Sequence, residues 1–357
     1  MSTTDVIRER LTEIRPAGAG GDIVALGMVN GIDVDDGAVT VHLAPRALAQ
    51  AIVQATVAEI RRSVGALEGV RSVDVRVENA PPQGQSPFSE IGPIPGVRDI
   101  IAVSSTKGGV GKSTVAVNLA LAMQQSGQSV GMLDSDVYGP SLPLMLGIAG
   151  RPRMGEDKRI FPIEKYGLRV MSLGFFLDDS SPVIWRGPMV MGLVRQFLKD
   201  VEWGELDVLV VDMPPGTGDA QLTLVQQVPV TGGVIVTTPQ DVALLDVQRG
   251  IAMFQQVNTP VLGVVENMSY YLCPKCGRHD DIFGSGGGSR IAERFGVPLL
   301  GAIPLVPEIR EGGDAGKPIV IDQPGSPAAA IFRELAAKVT AAVEAGRAEA
   351  TAPRIVG

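Results

Sequence analysis

The densest concentration of residues able to do chemistry is the segment TKGGVGKST, Thr106 to Thr114. In Gly108-Gly109-Val110-Gly111 the glycines let successive backbone N–H groups turn inward toward phosphate oxygens, a conformation that side chains would obstruct. The apolar run Asp99–Ser105 precedes the motif and a helical stretch, Val115–Gln125, follows it, which is the strand–loop–helix setting a phosphate loop requires. The helix N-terminus adds the positive end of its dipole. Lys112 can then neutralise β- and γ-phosphates, and the Ser113 hydroxyl can ligate Mg²⁺. The strict pattern G-x-x-x-x-G-K-[ST] fails at its first position, where Thr106 stands, and an extra lysine, Lys107, accompanies that departure.

Three carboxylates support the loop. Asp134 and Asp136, in LDSD, end one apolar run, and Asp212 ends another, VLVVD. At the C-terminal edge of a parallel sheet such acids hold Mg²⁺ directly or through water, or orient an attacking water; each taken alone also fits a helix cap or a solvated loop acid. Asn267 closes VVEN and can read an adenine edge by its amide, though Asn is also a common turn residue.

Cys273 and Cys276, the only cysteines, form a C-x-x-C loop after Tyr270-Tyr271. Two thiolates at that spacing can grip one metal centre, but clusters and structural zinc usually take four ligands. A second chain can supply the other pair. Alternatively His279, with Asp280 or water, completes a zinc site within one chain. A thioredoxin-like redox pair is disfavoured because the motif opens no helix behind an N-terminal βαβ unit, and two unliganded loop cysteines also fit. Spacing does not choose iron from zinc.

The elements that must position these groups divide once. Asn79–Val97 holds five prolines and three glycines, so a linker is expected at 80–97, between a domain at 1–79 and one at 98–357. In the first, Asp5–Arg15 and Arg46–Val64 read as helices. Ile23–Ile32 and Ala38–Leu43 read as a hairpin about Asp35-Asp36-Gly37, and Val73, Val75 and Val77 alternate as a strand, giving a small α+β domain. His42 fits a strand position better than a ligand. In the second, β-rich runs at Ile100–Ser104, Val130–Asp134, Val208–Asp212, Val234–Thr237, Val261–Glu266 and Leu299–Ile303 alternate with helical stretches. That pattern predicts an α/β fold with a doubly wound, mainly parallel sheet. Gly284–Ser289, GSGGGS, is the one low-complexity tract and is flexible enough to move near the cysteines.

Composition agrees with this organisation. A chain of 357 residues, 45% hydrophobic and 20% charged, can build one large core and one small one. A net charge of −8 disfavours nucleic acid and anionic membrane as partners. The opening MSTTDVIRERL lacks an apolar stretch and no run of about 18 apolar residues occurs, so a cytoplasmic protein with reduced thiols is expected.

KGGVGKS at 107–113, LDSDVYGPS at 133–141, VVDMPPGTGD at 210–219 and ENMSYYLCPKCG at 266–277 together resemble the Mrp/ApbC branch of the deviant-Walker P-loop ATPases, over roughly 98–322. The resemblance implies an ATPase whose hydrolysis is coupled to loading or transfer of an iron–sulfur cluster. It implies ATP binding by Lys112, Ser113 and Thr114, a Lys107 that reaches the partner subunit's nucleotide, and magnesium-linked roles for Asp134, Asp136 and Asp212. It further implies a homodimer in which two Cys273–Cys276 pairs bridge a [4Fe–4S] cluster. Assembly machinery would be the donor and apo iron–sulfur proteins the recipients. A small iron–sulfur-assembly-type domain in front is also implied, although AGAGGD at Ala17–Asp22 and LAPR at Leu43–Arg46 depart from the Asp-Pro-Glu-like stretch and the cysteine that such domains often carry.

Two rival functions share parts of this pattern. A partitioning or septum-positioning ATPase uses the same phosphate loop, but its membrane-binding form needs a basic amphipathic C-terminal helix. Here Ala328–Ala345 sets Ile331, Leu335, Val339 and Val343 at four-residue spacing with few basic residues, as a packing helix would. The other rival is a zinc-stabilised, ATP-dependent regulatory protein.

Overall fold

The structure, a computed structural model, describes residues 3–16, 21–26, 28–35, 37–43, 50–67, 69–77, 92–136, 139–157, 159–176, 187–273 and 275–351. It divides into two units, Met1–Ser89 and Glu90–Gly357. The proline-rich stretch expected as a linker lies outside the described residues as far as 91, and Val97 already opens a strand.

In the first unit α1 (Thr3–Leu11) is followed by β1 (Val29–Asp35), β2 (Ala38–Leu43), α2 (Gln50–Gly65) and β3 (Ser72–Val77). β1 and β2 pair antiparallel and β3 joins β2 in parallel through the α2 crossover. Alternation in β2 turns Val39, Val41 and Leu43 onto Ile7, Leu11, Ile60 and Val64 of the helices, closing a core of its own. The expected strand at Ile23–Ile32 begins only at Val29, because Asp22 Oδ1 accepts the N–H groups of Val24 and Ala25 and folds that stretch into a turn. His42 stands on β2 with Nε2 2.9 Å from Asp33 Oδ2.

The second unit begins with β4 (Val97–Ser104), α3 (Lys112–Gln125), β5 (Val130–Asp134) and α4 (Leu142–Met145). Next come β6 (Arg153–Met154), β7 (Ile160–Phe161), β8 (Ile163–Lys165), β9 (Leu168–Ser172) and α5 (Gly187–Asp200). Then follow β10 (Leu206–Asp212), α6 (Asp219–Gln227), β11 (Gly232–Thr237), α7 (Asp241–Gln256) and β12 (Val261–Glu266). The chain closes with β13 (Tyr271–Leu272), β14 (His279–Asp280), α8 (Gly287–Phe295), β15 (Leu299–Ala302), α9 (Pro307–Asp314), α10 (Ile319–Asp322) and α11 (Pro327–Thr351). One eight-stranded sheet runs β15-β12-β11-β4-β10-β5-β9-β8, parallel except for the β8–β9 edge. The six strands expected in this unit are all in it. The sheet also takes in β8 and β9, which the sequence does not signal, since Glu164, Lys165 and Arg169 break their apolar residues.

The winding goes outward from β4 to β5 and β9, returns to β10 beside β4, and then proceeds to the other side, so the end of β4 lies where the winding reverses. Ligands of open α/β sheets bind at such a point. The apolar face of α11 is taken up by the core: Phe332, Leu335, Val339 and Val343 are buried and the helix packs on α3. Among the described residues no helix is long and apolar enough to cross a membrane.

Candidate functional site

Register brings the acids together before any side chain is considered. β10 pairs with β5 so that Asp212 lies opposite Asp134, and with β4 so that the phosphate loop emerges alongside. Lys112, the first residue of α3, is buried and points back into this edge. Its Nζ lies 2.5 Å from Asp212 Oδ1, 3.6 Å from Asp136 Oδ2 and 3.2 Å from Ser113 Oγ.

One ammonium faces three buried carboxylates, and the acids respond. Burial, then repulsion from Asp212, pushes the Asp134 carboxyl up to about 7. Burial also raises Asp212, against the pull of Lys112. The roles of the two differ. Asp134 accepts from the N–H groups of Asp136, Ser141 and Leu142 and from Ser172 Oγ, so both of its oxygens hold the loop between β5 and α4 in place. Asp212 Oδ2, by contrast, is buried without a hydrogen-bond partner. Asp136 faces the cavity over the loop and accepts from Gly139 N–H.

That cavity, about 280 Å³, is lined by Ser105, Lys107, Gly108, Gly109, Gly111, Lys112, Ser113, Thr114 and Asp136, joined by Gly139, Ser141, Met145 and Pro215. A Cβ built on Gly108 or Gly109 meets no atom within 4 Å, so this wall is open, as a phosphate cradle must be. The residues present therefore fit a magnesium nucleotide: Ser113 Oγ, Asp136 and the orphaned Asp212 Oδ2 are hard oxygen donors beside a lysine at a helix N-terminus.

Gly111 has φ +81°, and a Cβ there would come 2.2 Å from Asn267 Nδ2. Asn267 sits under the loop and donates Nδ2–H to the Val110 carbonyl at 2.8 Å. In this structure its amide braces the loop and is not among the groups lining the cavity. Lys107 reaches across to α7, where its Nζ lies 2.6 Å from Asp246 Oδ2, an acid that no local motif signals. Glu266, also unmarked in the sequence, is buried and accepts from Ser269 Oγ and Gly288 N–H, tying β12 to the start of α8. Of the GSGGGS glycines, Gly287 and Gly288 are buried, and a Cβ on Gly287 would lie 2.4 Å from the Pro239 carbonyl, whereas Gly284 is exposed and a Cβ on it meets nothing within 4 Å.

From Asn267 the chain runs directly into the cysteines. Met268 adopts φ +56°, Ser269 N–H donates to Ile303 and Leu305 N–H to Tyr270, and β13 pairs with β14 around the C-x-x-C turn. Cys273 N–H donates to the Arg278 carbonyl and Gly277 N–H to that of Cys273, which closes the turn. The N–H groups of Cys276 and Lys275, followed by the Cys276 thiol, lower the Cys273 thiol below the usual range, so the turn favours thiolate. Both cysteines are free, Cys276 exposed and Cys273 half-buried. The groups expected to complete a zinc site within the chain are engaged elsewhere. His279 packs edge-on against Tyr270 and lies 3.5 Å from Asp281, and Asp280 pairs with Arg278. Among the described residues no three His, Cys, Asp or Glu side chains converge as a metal site.

A family model described as NUBPL iron-transfer P-loop NTPase matches residues 96–340, and one described as iron-sulfur cluster assembly protein matches residues 4–77. The iron-sulfur cluster carrier protein of Synechocystis sp. is 46% identical over 351 residues, spanning 96% of this chain and 99% of that protein. Its namesake in Escherichia coli is 53% identical over 249 residues, 70% of this chain and 68% of that one. A nucleotide-binding protein from Archaeoglobus fulgidus, solved in complex with ADP, is 38% identical with a TM-score of 0.58 over 66% of this chain and 92% of that chain. The cell-division ATPase MinD of Pyrococcus furiosus, 24% identical with a TM-score of 0.53 over 68% of this chain and 98% of that one, shares the fold. A family model that takes in most of the second unit, and a relative that matches nearly end to end, agree with the Mrp/ApbC resemblance: this chain belongs to the iron-transfer P-loop NTPases, the family of the iron–sulfur cluster carriers.

Proposed function

We propose that this protein binds and hydrolyses MgATP at the phosphate loop, Thr106 to Thr114, through Lys112, and carries a [4Fe–4S] cluster between two copies of itself for delivery to apo-proteins. The observation that supports it best is the single run Asn267–Cys273: its first residue braces the phosphate loop and its last is a free thiol in the turn closed by β13 and β14.

Each residue then has a task. Lys112 leaves its carboxylate partners to pair with the β- and γ-phosphates, and the backbone N–H groups of 108–111 cradle them. Ser113 Oγ, with Asp136 and Asp212 Oδ2 behind it, would hold Mg²⁺, which screens phosphate charge when bound. Asp212, relieved of Lys112, orients the attacking water. Asp134 keeps the loop carrying Asp136 in position through its four accepted hydrogen bonds. Lys107 exchanges Asp246 for the γ-phosphate held by the partner subunit, a charge supplied in trans. Cys273 and Cys276 furnish two of four ligands, so the cluster, as cargo, bridges two chains. Two unpaired thiols suit the reducing cytoplasm, with cluster-assembly machinery as donor.

Anaerobic reconstitution tests the reading: about four irons per dimer are expected, lost together in a Cys273→Ser, Cys276→Ser variant. Lys112→Ala should lower the MgATPase rate by about 10²-fold or more. One tightly bound zinc per monomer, or an unchanged ATPase rate in Lys112→Ala, would overturn it.

A further inference from the structure

The hairpin that carries the cysteines is unusually apolar at its surface. Leu272 is 45% exposed, Ile282 56% and Phe283 36%, and these are three of the seven large apolar side chains that the described part of the second unit leaves open. They bracket the thiols in sequence: Leu272 immediately precedes Cys273, and Ile282 and Phe283 follow β14. Nor are they on a loose loop. Tyr271 bridges to Leu305, Leu272 pairs with His279, and Gly284 N–H closes a turn onto Asp281. Polar groups lie between them in sequence, namely exposed Lys275 and the pairs Arg278–Asp280 and His279–Asp281. Exposed apolar side chains flanked by charged ones on a hydrogen-bonded segment suit a protein–protein contact.

The occupant follows from the ligand count. Resting on the cluster-bridged dimer proposed above, the two-fold axis passes through the cluster, and a two-fold contact pairs each patch near the axis with its own copy. A side chain adjacent to Cys273 then lies near the axis and meets the partner's hairpin across it. We propose that Leu272, Ile282 and Phe283 are the dry contact on which a second copy of this chain seats the same three residues, closing the shared cluster off from water. An apolar surround of this kind limits solvent access to a metal centre.

The test uses the full-length chain with both cysteines intact and the substitutions Ile282→Ser and Phe283→Ser together. Leu272→Asn alone serves as an independent second variant, and Phe283→Leu as the conservative control. Each is reconstituted with iron and sulfide, weighed by native mass spectrometry, and challenged with a ferrous chelator. The polar variants should bind MgATP as the parent does, yet lose their cluster at least about tenfold faster and dissociate to monomer with it, while Phe283→Leu behaves like the parent. Cluster lifetimes equal to the parent's would overturn the surface and leave the carrier reading standing. An unchanged dimer and lifetime with slower transfer to an apo-ferredoxin would overturn it too and assign the patch to recipients. A parent whose iron is not shared between two chains would overturn both readings.

Discussion

Asp134 shows how one side chain's surroundings set its task. Its carboxyl ends a parallel strand beside the phosphate loop, as a magnesium ligand would, yet four donors already occupy both oxygens. Its partner in register, Asp212, keeps one oxygen open, and on the function proposed above that difference leaves Asp134 to position the loop and Asp212 to face the metal. The raised Asp134 carboxyl also ties stability to pH. From the ordinary 3.8 up to about 7 the native chain holds a proton that the unfolded chain has released. Stability of the ligand-free protein therefore falls across that window as pH rises, by on the order of 4 kcal/mol from this group at most, and the loss is complete above it. In Asp134→Asn the slope disappears while the changed hydrogen bonding costs the same at every pH. Urea unfolding at pH 5 and pH 8 should show the difference between variant and parent moving in the variant's favour at pH 8. A difference independent of pH would refute the assignment.

Among the elements, the phosphate loop depends on a strand two positions across the sheet from β4. β12 ends at Glu266, and the amide of the next residue, Asn267, reaches beneath the loop to Val110, leaving space there only for a glycine at 111. Gly111→Ala requires a left-handed alanine and displaces a buried, hydrogen-bonded amide, costing about 2–4 kcal/mol together. It should lower Tm by several degrees and abolish the stabilisation given by MgATP. Adding Asn267→Ala removes the 2.2 Å clash, so the double variant should be more stable than the sum of the two single losses. Gly108→Ala, whose Cβ meets nothing within 4 Å, should leave Tm unchanged. Strict additivity in thermal unfolding would show that Asn267 does not support the loop. The same run continues into β13, so a brace on the phosphate loop and the base of the cysteine hairpin belong to one stiff segment.

For the whole molecule the question is what one chain lacks. Lys107 is paired within its chain to Asp246, apart from the carboxylates that Lys112 meets in the same loop. If Lys107 serves the opposite nucleotide, mixing Lys107→Ala chains with Lys112→Ala chains creates one intact site per heterodimer. That site has its own Lys112 and receives Lys107 from the Lys112→Ala partner. Each heterodimer should recover up to half the parental ATPase activity, so an equimolar, randomly paired mixture should return up to about a quarter, although both variants alone are inactive. Heterodimers verified by native mass spectrometry that stay inactive would exclude action in trans, as would full activity of Lys107→Ala.

The phosphate loop, the sheet strands that lead to it and the C-x-x-C pair are legible from the residues alone, because each depends on local rules. Glycine spacing, runs of β-branched residues and short ligand spacing are all visible within about ten residues. Apolar spacing also points to a packing role for the C-terminal helix, whose Leu335, Val339 and Val343 are buried while Ile331 is half-buried against the same core. The edge strands β8 and β9 are not legible, since their charged residues break the apolar pattern and only the sheet edge supplies their pairing. Nor are Asp246, Glu266 or the bracing use of Asn267: Asp246 and Asn267 meet partners far off in sequence, Glu266 ties two separate elements together, and register and crossovers alone bring these groups within reach. Folding in three dimensions likewise settles which of two similar strand-end acids is filled and which is open, a matter of the N–H groups that the neighbouring loop turns toward each.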